Sequence, residues 1–555
     1  MLAQVQRVNN EAKTLAHRLS TSTGTRVEAR PGDAARQVLL LGGVTALGAA
    51  AFAPALAAGF LADDFTLLRT LDRVNGLGDA LGRNDLGEAG EAGHFYRPLW
   101  VLWNAAIFGL FGAEPLAFHT GNVLLYALIV AEVWLLARRL LGDPASWLAA
   151  GFFAVYPRHG ESVAWVSGNT DLVASALVLA ALLCAGAGWR SWLRLLGTGV
   201  LSGLAALAKE SAFVLPLLVV VLALASPRRS CRRIPWGTLA AVIIPQLGVL
   251  VVRTEVLGGA GGYGESWTPL RILGGAATHL VGGLTLPQLE VILQPGLLLV
   301  PAALFCLLAW GVWRLHRHGD VRRVRVACAG AAWFLVALLP VLNLPLDLTT
   351  ANGERLLFLP SVGLALVVAA TVPPPRQLVG VAVLALSLAV LLVSSVQSAR
   401  TWTTASDLAD RALRQATELA PPNGELILLS SPDSYRNAHV LLNALPAAFE
   451  RSGRDDVLVS WCLPVHVRSV RPAQVTFTAA QDGTYEGSSS WDAPFDFPAF
   501  RDPTPLAADC AYSRMDEELW PPGVRLEGRA HPTPSRDHVV LAFFDGRDFV
   551  ALHSR

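Results

Sequence analysis

What most constrains this chain is a succession of long, uncharged apolar runs, closed by arginines rather than by turn-rich loops. Runs of about 18 residues or more can cross the roughly 30 Å hydrocarbon core of a bilayer. A backbone in lipid must satisfy its own hydrogen bonds, so many such runs in one chain imply a helical bundle. Of 555 residues, 53% are hydrophobic and 16% charged, against about 25% charged in a soluble domain. The formal net charge of +1 gives no general attraction to nucleic acid. The chain reads as a polytopic α-helical membrane protein.

Spans are expected near 38–60, 115–137, 144–157, 171–189, 195–208, 211–226, 236–252, 296–313, 326–344, 356–372 and 377–396, about eleven in all. The runs at 144–157, 195–208 and 211–226 are short enough to be half-helices or tilted. Basic breaks occur at Arg138/Arg139, Arg190/Arg194, Arg228 to Arg233 and Arg314 to Arg325. With the N-terminus in the cytoplasm, all of them fall on the cytoplasmic side, as the positive-inside rule requires. Residues 1–37 then form a cytoplasmic N-terminal tail, too long and mixed for a signal-peptide n-region. The first run is read as an uncleaved helix, and 38–396 as one multispan domain in the cell (cytoplasmic or inner) membrane.

Residues 397–555 contain no spanning run. After a helical linker at about 404–420, alternating stretches such as "VHVRSVRPAQVTFTAA" (465–480) and "DHVVLAFFDGRDFVALH" (537–553) read as strands between turns. The expectation is a small, mostly-β soluble domain, extracytoplasmic in this topology. Cys462 and Cys510 both fall in it, and an even pair in an oxidising compartment suggests a disulfide. Two buried free thiols are the alternative.

Unusual polar stretches gather on the outer face. They are Asp63/Asp64 after the first span, "HFYRPLW" (94–100), "YPRHGESVAWVSGNTD" (156–171), "LAKESAF" with Lys209 and Glu210, "RTEVLGGAGGYGE" (253–265) and "NGERLLFLPS" (352–361). Chance would scatter them over both faces, so a single site built from several loops is the economical reading. Each has a plainer one. Asp63 alone reads as the N-cap of a helix starting at Phe65. Arg97 and Arg158 read as interfacial anchors, and Glu354–Arg355 as a surface pair worth little. No second His or Cys stands at ligand spacing from His159, which argues against zinc. Lys209 is harder to dismiss, because the chain has only two lysines, Lys13 and Lys209. A charge at membrane depth costs roughly 2.5–3.5 kcal/mol, and a compact ammonium suits a phosphate oxygen.

Several stretches resemble the membrane O-mannosyltransferase-like proteins of the GT-C class of glycosyltransferases. They are "YRPLWVLWNAAIFGLFGAEPLAFHTGNVLLYAL", "GFFAVYPRHGESVAWVSGNTDLVASAL", "LSGLAALAKESAFVLPLLVVVL" and "NGERLLFLPSVGLAL". The resemblance covers roughly residues 55–400. Those relatives commonly continue into tetratricopeptide repeats, whereas residues 397–555 here do not. The resemblance implies an inverting transfer of a sugar, with mannose the suggested one, from a polyprenyl-phosphate donor to an acceptor hydroxyl on the outer face. The acceptor would be a glycan, a lipid or a protein, and membrane lipids surround the site. One of Asp63 and Asp64, preferably Asp63, would be the general base. Lys209, Arg355, Arg97 and Arg158, with Glu354 and His159 beside them, would hold the lipid phosphate. Glu161, Asn169, Asp171 and Glu210 would line the acceptor side. No cofactor is required, and a divalent cation (Mg or Mn) is compatible with the class. The chemistry makes the same demand: fixed cations stabilise a departing phosphate, and a positioned carboxylate takes the acceptor proton. The competing reading is a non-catalytic lipid-linked-glycan transporter or assembly scaffold. Matching inverted halves would favour it, and none is visible.

Overall fold

The computed structural model describes residues 31–74, 76–82, 95–225, 235–259, 261–262, 267–287, 299–347, 353–372, 378–441, 444–479, 484–490, 493, 510–519, 522–530 and 538–554. Most of the N-terminal tail (1–30), the basic break Arg228 to Arg233, residues 296–298 of an expected span, and His94, Ala260, Tyr263, Gly264, Glu265 and Asn352 of the polar stretches lie outside them.

Among the described residues, seven helices are long and apolar enough to cross a membrane: Pro115–Leu141, Ser167–Ala185, Ser191–Ala208, Trp236–Leu257, Val321–Val341, Glu354–Thr371 and Leu378–Leu419. Four apolar helices are shorter: Ala35–Ala51, Pro98–Phe111, Ala145–Ala154 and Glu210–Ala225. Two of the runs suspected of being half-helices are among these four. The third, 195–208, belongs to the longer Ser191–Ala208 helix.

Two expectations need correction. The first run does not stay helical to residue 60: its helix ends at Ala51 and a 3-10 turn, Ala53–Ala57, follows. Pro54 lacks the N–H that would continue the ladder. The stretch from 61 to 114, read as a long loop, contains the helices Asp63–Arg73, Leu77–Gly82 and Pro98–Phe111. The last of these has 14 residues, about 21 Å of helix, too short to register as a span.

Close packing of the bundle relies on small residues where backbones meet. A Cβ on Gly363 would lie 2.4 Å from the Gly330 carbonyl oxygen, and one on Gly330 would lie 2.6 Å from that of Gly363. These two glycines let the Val321–Leu338 and Phe358–Thr371 helices touch. The bundle core is a continuous apolar cluster through Tyr126, Phe153, Trp333 and Phe358.

The described residues of the C-terminal region form nine strands: β1 Glu425–Tyr435, β2 Ala438–His439, β3 Leu458–Val467, β4 Val475–Ala479, β5 Thr484–Ser490, β6 Cys510–Leu519, β7 Pro522–Ala530, β8 Val539–Phe544 and β9 Phe549–Ser554. One sheet runs β2-β1-β8-β9 with β3 on the other edge of β1; the second runs β4-β5-β7-β6. β1 pairs in parallel with both β3 and β8. It is buried along almost its whole length, as a central parallel strand is. Of the two stretches read as strands, the first covers the end of β3 and β4 with a non-strand connection at 468–474 between them, and the second is the β8–β9 hairpin. The expected linker is no separate element, because one 42-residue helix, Leu378–Leu419, continues from the apolar run into the β domain. Cys462, on β3, is disulfide-bonded; the side chain of Cys510 lies outside the described residues.

Candidate active site

The acidic pair opens the helix Asp63–Arg73. The preceding Ala62 has φ 44° and ψ −124°, a conformation that costs a non-glycine residue about 1–3 kcal/mol and is met mainly at functional sites. Its N–H donates to the Val440 carbonyl at 2.9 Å, so the strained residue is held by the C-terminal domain. The two carboxylates divide the work. Asp64 is 1% exposed and accepts from the Leu61 N–H at 3.0 Å, the Ser167 N–H at 2.7 Å and the Ser167 hydroxyl at 2.6 Å. The capping role expected of Asp63 is not filled: the N-cap is Ala62 and no side chain caps the helix, while Asp64 ties the turn to Leu61 and Ser167. Asp63 is half-buried and accepts no hydrogen bond among the described residues.

Burial raises the pKa of both. For Asp63 the charges of His439, Arg355 and Arg97 work against the rise. Asp64 is pushed up to about 7 by burial, against the Ser167 and Leu61 hydrogen bonds, with the Asp63 charge adding to the rise.

Around the pair, each expected cation meets an acid. Lys209 Nζ lies 2.5 Å from Asp171. Arg97 grips Glu210 with two donors, at 3.0 and 2.5 Å, and Arg253 adds a second charge to Glu210 at 4.0 Å. Arg355 holds Glu161 twice, through its backbone N–H at 2.9 Å and its guanidinium. Arg158 reaches Glu354 at 2.8 Å and the hydroxyl of Thr285 at 2.9 Å. Burial would raise the pKa of Glu161, but Arg355 and His439 outweigh it and hold the acid at about 2.

These pairs differ in access. Arg158 and Glu354 are both fully enclosed, whereas the Arg355 side chain is 18% exposed. Arg355 also lies 5.0 Å over the ring of Trp165, a favourable position for a cation. The structure thus brings Asp63, Asp64, Arg97, Arg158, Glu161, Asp171, Lys209, Glu210, Glu354 and Arg355 into one connected polar cluster.

Two expected site residues belong elsewhere. His159 is fully buried with both ring nitrogens engaged, Nδ1 with the Tyr126 hydroxyl at 2.9 Å and Nε2 with the Ser361 hydroxyl at 2.8 Å; it has no ring nitrogen left for a donor phosphate. Asn169 is likewise enclosed. It accepts from Trp100 Nε1 at 2.5 Å and donates to Asn104 at 3.1 Å and Asn122 at 2.9 Å. Both tie helices together, because buried polar groups need partners. Among the described residues no three His, Cys, Asp or Glu side chains gather as a metal would need.

Sequence reasoning missed Ser167, Trp165, Asn437 and His439. Ser167 lies within a quoted polar stretch, but nothing local marks it as the partner of Asp64. Asn437 and His439 lie beside and on β2, far along the chain. Asn437 donates to Glu354 at 3.2 Å, and His439 Nε2 stands 3.7 Å from Glu161.

Residues 96–251 match the family model described as dolichyl-phosphate-mannose-protein mannosyltransferase. The chain is 35% identical over 198 residues to Protein O-mannosyl-transferase Tmtc1 of Drosophila melanogaster, covering 34% of this chain and 23% of that protein. It is 31% identical over 313 residues to Tmtc2 of the same organism, covering 50% of this chain and 32% of that protein. It is 37% identical over 123 residues to TMTC2 of Mus musculus, covering 21% and 15%. The matched stretches thus span about a third or less of these relatives' lengths. Among solved structures the fold is similar to ArnT from Cupriavidus metallidurans in the apo state, at 14% identity and a TM-score of 0.37 over 78% of this chain and 93% of that one; so loose a likeness supports no argument. By sequence, the membrane domain is similar to the O-mannosyltransferase-like membrane glycosyltransferases, and the match falls on the stretch that carries Arg97, Arg158, Glu161, Asp171, Lys209 and Glu210.

Proposed function

We propose that the chain is an inverting glycosyltransferase that moves a sugar, mannose by the likeness of its relatives, from a polyprenyl-phosphate donor to an acceptor hydroxyl. The observation that carries this reading is the contrast within the acidic pair: Asp64 is saturated with donors, while Asp63 keeps its oxygens unbonded beside Arg355 and Arg97. An acceptor hydroxyl donating to Asp63 loses its proton there as its oxygen attacks the anomeric carbon. The bond from that carbon to the lipid phosphate breaks on the opposite face, and one base with no covalent intermediate gives inversion. The departing phosphate carries the charge that needs stabilising. Arg355 is the most accessible cation in the cluster and the best placed for this, with Lys209 and Arg97 behind it. Their effect is strengthened because the site is shielded from water. Arg158, enclosed with Glu354, supports the loop on which Arg355 stands.

The same reading has about eleven crossings at the positions expected from the sequence, with Leu299–Arg317 taken as the span expected at 296–313, the short helices Ala35–Ala51, Ala145–Ala154 and Glu210–Ala225 counted as tilted or partial spans, and Pro98–Phe111 left uncounted. The N-terminus lies in the cytoplasm and the β domain outside, with Cys510 as the disulfide partner of Cys462. A bonded cystine suits an oxidising compartment.

The test is sugar transfer from polyprenyl-phosphate mannose by the full-length protein in membranes. A general base contributes about 10²- to 10⁴-fold, so Asp63→Asn loses transfer on that scale, while the variant still binds undecaprenyl phosphate. Undiminished transfer by Asp63→Asn would sink the base assignment.

A further inference from the structure

The turn from β1 into β2 brings into the membrane domain groups that the transferase-like stretches do not supply. At one end Val440 accepts the Ala62 N–H at 2.9 Å, one residue before Asp63. At the other, Asn437 donates to Glu354 at 3.2 Å, one residue before Arg355. Between them lies His439, 4% exposed. Its ring packs 4.7 Å from Trp165 and 6.0 Å from Trp402, measured between centroids. Nε2 faces Glu161 at 3.7 Å, while the buried Nδ1 has no hydrogen-bond partner among the described residues.

A buried ring nitrogen without a partner calls for an explanation, and here it stands in the same cluster as an unbonded carboxylate. The Glu161 carboxylate faces Nε2, so in the neutral imidazole the proton sits on that nitrogen and Nδ1 is a hydrogen-bond acceptor. Asp63 and Nδ1 are then two neighbouring groups that lack donors among the described residues.

We infer that His439, delivered by the C-terminal domain, is an acceptor-positioning residue: its Nδ1 takes an O–H or N–H of the acceptor next to the hydroxyl that Asp63 deprotonates. The acceptor it fits carries a second hydrogen-bond donor beside its reactive hydroxyl. A group held at two points is oriented for attack, which is where enzymes gain much of their rate. The inference rests on the transferase reading above, and assigns the β domain a place inside the site rather than beside it.

The experiment measures turnover of polyprenyl-phosphate mannose in membranes of the source cell, with its own acceptors, after replacing the native protein by full-length variants. Binding of undecaprenyl phosphate to each purified variant is measured alongside. His439→Ala is expected to lower turnover at least tenfold while that binding stays within twofold. His439→Asn, whose amide oxygen can stand where Nδ1 stood, recovers part of the rate; His439→Leu, which only fills the space, does not. The inference is overturned if Leu restores as much as Asn, if Ala turns over within threefold of the native protein, or if turnover and binding are lost together. Full activity of Asp63→Asn would remove the base assignment while leaving the His439 result to stand on its own variants. A native protein inert toward the donor overturns both.

Discussion

At the scale of single residues, the site depends on which acid is already occupied. Asp64 serves the fold, so Asp64→Ala strands the buried N–H groups of Leu61 and Ser167, each costing about 1–3 kcal/mol. It should lower the thermal midpoint in detergent, whereas Asp63→Asn should leave that midpoint nearly unchanged. Burial raises the pKa of Asp63, so the acid limb of the rate profile should lie above the ordinary carboxylate value of 3.8, and a pH series on kcat checks it. Glu161 runs the other way. Its folded pKa of about 2 is below the ordinary 4.5, so its contribution to stability is complete above pH 4.5 and is lost as the pH falls through 2. Glu161→Gln should therefore be destabilised at neutral pH and show a shallower acid loss than the native protein, by denaturant titration across that range. The sequence made Asp63 and Asp64 conspicuous, and the preference for Asp63 rested on likeness alone. What separates them is Ser167, about a hundred positions on, and no local pattern announces that contact. His439 was illegible for the same reason in stronger form, since it meets Glu161 from the far end of the chain, across the whole membrane domain.

At the scale of elements, the membrane helices were the legible part, because lipid imposes length and apolarity directly on sequence. One short helix escaped: Pro98–Phe111 is apolar enough for lipid but too short to cross it, so a spanning window passes over it. Helix-to-helix fit is equally hidden in sequence, although its test is simple. Gly363→Ala places a methyl group 2.4 Å from a backbone oxygen, which no rotamer change relieves. It should separate the Val321–Leu338 and Phe358–Thr371 helices, with a marked fall in thermal midpoint. Arg158 and Glu354 join the short turns Pro157–His159 and Glu354–Leu357 across the bundle. Removing one partner of an enclosed pair costs about 3–5 kcal/mol, so Glu354→Ala should lower stability and transfer together, and the double variant with Arg158→Leu should recover stability alone.

At the scale of the whole molecule, the β domain and the bundle share a boundary that carries part of the proposed site. Asn437, His439 and Val440 reach inward, and Arg451 pairs with Asp72 at 3.1 Å on the helix that begins with the acidic pair. Because Cys462 is bonded, maleimide should fail to label it in the native protein and should label it after reduction. Loss of such a bond typically costs about 2–5 kcal/mol in a small secreted domain, so Cys462→Ser should lower the β domain's midpoint by several degrees.

The unbroken Leu378–Leu419 helix gives this assembly a mechanical property. Its 42 residues make a shaft about 63 Å long. At one level Ser395 donates to the Val155 carbonyl at 2.9 Å; higher up, Trp402 walls His439, and Gln415 is bound to Asp548 at 2.8 Å and to the Phe549 N–H at 3.0 Å. Gly160 carries no side chain where the shaft passes, and a Cβ there would sit 2.2 Å from Ser398 Oγ. Because the helix is unbroken, a tilt imposed by lipid on its lower half would carry along the upper half, where Trp402 packs against His439. Acyl-chain length should then act as a throttle: turnover in vesicles of matched headgroup should pass through a maximum as the bilayer thickens, while affinity for undecaprenyl phosphate stays level.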